Sequence, residues 1–149
     1  MKVFDPVSLI LCKKGSNVWS VSPDATVYDA MKMMADKDVG ALLIMDGTHL
    51  VGVVSERDYA RKVILQGRSS KDTPVREIAA ETTITIPPEC SVDEAMRIIT
   101  TNRIRHLPVV HDDTVDGMIS IGDLVQWISF AQDQTIEQLE HYIEGKYPC

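Results

Sequence analysis

Nowhere in this 149-residue chain is there a run of the ~20 consecutive apolar residues that a membrane-crossing helix needs. The opening Met1-Lys2-Val3-Phe4-Asp5-Pro6 lacks the charged-then-apolar layout of a secretory signal, so a cytoplasmic protein is expected. Cysteine is scarce as well. Cys12, Cys90 and Cys149 are odd in number and far apart, with no C-x-x-C between them, which points to structural or incidental thiols. Neither a disulfide framework nor a zinc knuckle is indicated. Net positive charge is missing too: the formal charge is −7, which argues against a general nucleic-acid surface. The expected partners therefore include no nucleic acid and no membrane.

What remains is an ordinary globular composition, 44% hydrophobic and 25% charged, in a chain long enough to bury a core. Its few excess cations are clustered. Residues 57–76 hold Arg57, Arg61, Lys62, Arg68, Lys71 and Arg76 against two acids, and residues 97–106 hold Arg97, Arg103 and Arg105 against none. Two basic islands in an acidic chain suggest local anion sites, with solvated helix faces as the plain alternative.

The strongest feature is an internal repeat. A shift of 65 residues places Thr26-Val27-Tyr28-Asp29-Ala30-Met31 on Ser91-Val92-Asp93-Glu94-Ala95-Met96. The same shift places Gly52-Val53-Val54-Ser55-Glu56-Arg57-Asp58 on Gly117-Met118-Ile119-Ser120-Ile121-Gly122-Asp123, with no gap. A leading helix is duplicated at a slightly different offset, Asp5-Pro6-Val7 and Thr73-Pro74-Val75, each with a capping residue before a proline at the first helical position. Each copy then reads as a short strand (Trp19–Val21, Ile84–Ile86), a helix from Thr26 or Ser91, two strands joined at Asp46-Gly47 or Asp112-Asp113, and a last helix from Ser55 or Ser120. The expected fold class is α/β of the α+β kind. Two strand-helix-strand-strand-helix repeats would be related by a pseudo-twofold axis, sheets packed face to face, with a cleft between them. The expected divisions are an N-terminal helix and linker (1–18), repeat 1 (19–67), a linker with a short helix (68–83), repeat 2 (84–131) and a C-terminal amphipathic helix and tail (132–149).

The element that carries chemistry is Gly-h-h-Ser-x-x-Asp, where h is apolar, at the junction of the third strand with the last helix. Ser55 with Asp58, and Ser120 with Asp123, are good capping boxes, and that reading needs no ligand. The same helix start also suits a nucleoside phosphate. Hydroxyl and backbone N–H groups can donate to phosphate, and a carboxylate can accept from both ribose hydroxyls. Gly52 and Gly117 would let another group approach the strand closely. Arg57 adds charge in the first copy, and Arg103, Arg105 and His106 in the second, so two chemically unequal pockets are expected.

These residues, with Asn102-Arg103-Ile104-Arg105-His106-Leu107-Pro108-Val109, resemble tandem cystathionine-β-synthase (CBS) domains, the pair called a Bateman module. The resemblance covers roughly residues 10–130 and is nearest to stand-alone CBS-pair proteins. It implies a regulatory, energy-sensing module that binds AMP, ADP, ATP, NAD or S-adenosylmethionine between the repeats. No cofactor is required, though magnesium would accompany ATP. Carried over by position, Asp58 and Asp123 hold ribose, and Ser55 and Ser120 help with phosphate. Val21-Ser22 and Thr85-Ile86 flank adenine, together with Gly40-Ala41 and Arg105-His106. Arg57, Arg68 and Arg103 favour a phosphate-bearing ligand over S-adenosylmethionine. The family pattern also implies a homodimer and a regulated protein on a separate chain.

Two other functions compete with this one. An enzyme would use Cys90 or Ser120 as nucleophile and His106 as base, but no third orienting group is in view, so no catalytic residue and no metal ligand is expected. A structural oligomerisation module would bind no nucleotide.

Overall fold

The computed structural model describes residues 3–15, 18–80 and 82–133. The expected C-terminal amphipathic helix over 132–149 lies almost wholly outside the described residues. The fold is mixed α+β and divides into two compact units, one of residues 18–83 and one assembled from residues 1–17 with 84–149.

In the unit of residues 18–83, β1 (Ser20–Val21) pairs parallel to β2 (Ala41–Asp46), which pairs antiparallel to β3 (His49–Ser55). Helix α2 (Val27–Lys37) starts because the Thr26 hydroxyl accepts the Asp29 N–H at 3.1 Å, and it stops at Asp38 in the left-handed region, φ 55°. Val27, Ala30 and Met34 face a core of Leu42, Ile44, Val54, Val63, Val75 and Ile78. The β2–β3 turn is centred on Gly47-Thr48, one residue later than expected, with Gly47 at φ 62°. Helix α3 (Glu56–Tyr59) widens into a π-turn over Ala60–Ile64 instead of running on as an α-helix.

The second unit repeats these local solutions 65 residues on. Helix α4 (Val92–Asn102) is capped by Ser91, whose hydroxyl accepts the Glu94 N–H at 3.1 Å, and ends at Arg103, φ 54°. Strands β4 (His106–His111) and β5 (Thr114–Ser120) turn through Asp112-Asp113, both at positive φ, and helix α5 (Ile121–Asp133) follows. A β-bulge falls at Met45 in one hairpin and at the equivalent Val110 in the other.

Two expectations are corrected. The strand expected over Ile84–Ile86 reduces to one parallel bridge, Ile86 with Val109. In the first unit the Leu43 N–H donates to the Trp19 carbonyl; its counterpart is Pro108, which has no N–H to give. The duplicated leading element is also not in front of its own repeat. Helix α1 (Val7–Lys14) packs with the second repeat, where Val7 N–H donates to Cys90 O and Val92 N–H to Asp5 O, both at 2.8 Å. The Thr73-Pro74-Val75 segment makes the same pair of bonds with Ala25 and Val27 in the first, as a short 3₁₀ turn over Val75–Glu77. Each proline is the last extended residue before its helix rather than the first helical one. Asp5 accepts the Trp127 indole N–H at 3.0 Å, and Thr73 is buried, donating to Ser69 O at 2.7 Å.

Candidate functional site

Both Ser-x-x-Asp elements form as full boxes at a strand-to-helix junction. At the first, the Ser55 N–H and hydroxyl both donate to Asp58 Oδ2 at 2.9 Å, and the Asp58 N–H donates to Ser55 Oγ at 3.2 Å. At the second, the Ser120 N–H donates to Asp123 Oδ2 at 2.8 Å and the Asp123 N–H to Ser120 Oγ at 3.1 Å. The capping reading is therefore satisfied at both, and whatever else the two acids do, they do it from these fixed positions.

Each acid also meets an ammonium, supplied from non-equivalent places. Lys62, one turn along the same helical segment, lies 3.5 Å from Asp58 Oδ1 and donates to the Ile78 carbonyl at 2.9 Å. Lys14, the last residue of α1, lies 2.7 Å from Asp123 Oδ2 and donates to the Met118 carbonyl at 3.0 Å. The Asp58 and Asp123 side chains are 23% and 20% exposed, so both remain open to a small molecule. Asp123 opens onto a cavity of about 200 Å³ lined by Ile10, Lys13, Lys14, Gln126 and Trp127.

The fold brings several expected site residues together within each unit. Ala41 pairs with Ser55, and the Gly40 carbonyl accepts the Glu56 N–H at 3.1 Å, so Gly40, Ala41, Ser55, Arg57 and Asp58 form one neighbourhood. Equivalently, His106 pairs with Ser120 and the Arg105 carbonyl accepts the Ile121 N–H at 2.8 Å, gathering Arg105, His106, Ser120 and Asp123. Arg103 precedes them as the α4 cap. Val21 and Ser22 lie elsewhere. Parallel pairing sets Val21 beside Ile44, three residues along β2 from Ala41, or ~10 Å at strand rise. Ile86 is 2% exposed within the core, while its neighbour Thr85 is exposed. The Ile86 backbone is spent on the sheet, the N–H donating to Pro108 O at 3.0 Å and the carbonyl accepting the Val110 N–H at 2.9 Å.

Sequence reasoning passed over Lys62 and Lys14 as ligands of the acids. The i,i+4 spacing of Asp58 and Lys62 was a usable signal; nothing in the sequence joins Lys14 to Asp123. Where the sequence suggests room for a ligand at the two glycines, the structure fills that room with the protein itself. A Cβ on Gly117 would lie 2.7 Å from Leu11 Cδ2, and one on Gly52 3.5 Å from Thr83 Oγ1. The basic islands are partly spent, because Arg68 pairs with Glu77, Arg76 with Asp24 and Arg97 with Glu94.

Burial, with the nearby Glu94 carboxylate adding to it, raises the Cys90 thiol above its ordinary range. At neutral pH it is a protonated thiol and a poor nucleophile. Cys12 is disulfide-bonded, where the sequence indicates a free structural or incidental thiol. No described helix is long and apolar enough to cross a membrane.

Comparison with known proteins adds the relatives. The CBS domain pattern matches residues 14–64 and again 75–130. The mitochondrial CBS domain-containing protein CBSX3 of Arabidopsis thaliana is 45% identical over 138 residues, covering 89% of this chain and 66% of its own length. The chain thus spans just under two thirds of that relative. The CBS domain-containing protein YhcV of Bacillus subtilis is 31% identical, covering 73% of this chain and 77% of its own. Among solved structures, a CBS-domain protein from Burkholderia ambifaria superposes with a TM-score of 0.82 at 46% identity, covering 88% of this chain and 98% of that one.

Proposed function

The chain belongs to the CBS-domain family, with two such domains in tandem, and on that premise we propose that it senses an adenosine nucleotide and signals to a separate protein. CBS pairs are regulatory modules, and the Burkholderia relative carries signal transduction in its name. The observation that carries the reading is the pair of Ser-x-x-Asp helix starts, built alike 65 residues apart, each leaving a partly exposed carboxylate beside an ammonium. A carboxylate held this way accepts ribose hydroxyls, and the neighbouring cation suits phosphate. AMP, ADP, ATP and NAD are the candidate ligands. Cytoplasmic residence and a homodimer belong to the same reading.

Calorimetric titration tests it. Asp58→Asn and Asp123→Asn each keep an acceptor for the serine N–H while removing the charge, so the caps survive. Each substitution is expected to weaken one site by about tenfold or more and spare the other, the loss of one charge-assisted bond. Saturation at 100 times the dissociation constant should stabilise the protein by ~2.7 kcal/mol. No heat and no shift in melting temperature at millimolar nucleotide would overturn the reading. That outcome would leave a structural oligomerisation module in which both acids serve only as helix caps.

A further inference from the structure

Asp123 and Lys14 leave complementary groups on one wall of the cavity beside them. An ammonium has three N–H donors. Lys14 spends two, on Asp123 Oδ2 and on the Met118 carbonyl. Asp123 Oδ2 already takes two donors, Lys14 and the Ser120 N–H, whereas Oδ1 has no hydrogen-bond partner among the described residues. A molecule entering the cavity therefore meets an oxygen that can accept a hydroxyl beside an N–H that can donate to an anion. Lys13, its ammonium 5.0 Å from the Phe130 ring centroid, adds a second positive charge to the lining, and Gln126 adds an amide. The apolar floor is Ile10 and Trp127, whose indole N–H is committed to Asp5.

An acceptor for a hydroxyl adjoining a donor for an anion is the chemistry that recognises a phosphorylated sugar. We infer that Lys14 is the specificity-determining residue of the Asp123 site, selecting nucleosides that carry phosphate over those that do not. The inference rests on the ribose role proposed above for Asp123. At the 68-residue offset that relates Asp5-Pro6-Val7 to Thr73-Pro74-Val75, the equivalent position in the first repeat is Thr82. An ammonium supplied by the leading helix therefore belongs to the second site, whereas Asp58 meets Lys62 from its own helical segment.

The test is calorimetric titration of the full chain carrying Asp58→Asn, so that the second site is read, with AMP and with adenosine. AMP is expected to bind about tenfold or more tightly than adenosine, and the preference should shrink as salt rises. Lys14→Met should lower AMP affinity about tenfold while adenosine stays within about twofold, and Lys14→Arg should restore the preference. Lys14→Gln serves as a second neutral variant if the methionine form does not fold. An unchanged AMP-to-adenosine ratio in a folded neutral variant overturns the role of Lys14 and leaves nucleotide sensing standing. If the unmodified chain binds neither compound, this inference fails, and the sensing proposal fails with it only when ADP, ATP and NAD give no heat either.

Discussion

Gly117 has no side chain because Leu11 occupies the space where one would be. A Cβ there would stand 2.7 Å from a leucine methyl carbon and 3.4 Å from the other, so Leu11 would have to move out of a filled core. Gly52 is equivalent in sequence but meets its nearest neighbours at 3.5 and 3.6 Å, ordinary contact distance. Gly117→Ala is therefore expected to cost about 1–2 kcal/mol, and Gly52→Ala close to nothing, as read from urea unfolding midpoints. Equal costs would mean that Leu11 swings aside freely. The sequence marked both glycines through the repeat but not their difference, which depends on a side chain 106 positions away. Lys14 makes the same point in electrostatic terms. Its place in the last turn of a helix was legible, and its pairing with Asp123 was not.

Helix starts were the most legible elements, because a cap acts over three residues and needs no tertiary partner. Thr26 and Ser91 cap α2 and α4 with the same geometry, each hydroxyl 3.1 Å from the N–H three residues on. Ser91→Ala and Thr26→Ala should each cost about 1 kcal/mol. A thermal unfolding series in which one loses far more than the other would show the two helices to be unequally supported. Strands were less legible where proline intervenes. Pro108 lies within β4, yet it removes the one N–H that would tie Ile84 to the sheet, so a strand on one side becomes a single bridge on the other. The π-turn over Ala60–Ile64 has no counterpart in α5.

Across the whole chain, the unit built on the second repeat draws part of its core from the first seventeen residues. Val3, Val7, Ile10 and Leu11 are buried against Val109, Ile119, Leu124 and Trp127. Four such side chains contribute roughly 6–12 kcal/mol at 1.5–3 each, comparable with the whole stability of a typical domain. Deleting residues 1–15 should therefore abolish amide hydrogen-exchange protection across β5, the strand on which α1 packs. Retained protection there would show that the second repeat folds without α1.

By itself, the sequence determined the repeat, its offset, the helix caps, the hairpins, the mixed fold class and the two serine–aspartate boxes. Each of these is enforced by neighbours a few residues apart and survives wherever the chain goes. Only tertiary structure decided that α1 joins the second repeat, that Lys14 braces Asp123, and that Leu11 fills the space above Gly117. Those contacts span about a hundred residues or more, and local preference carries no information across such a distance: they exist only once the apolar faces have found each other and closed.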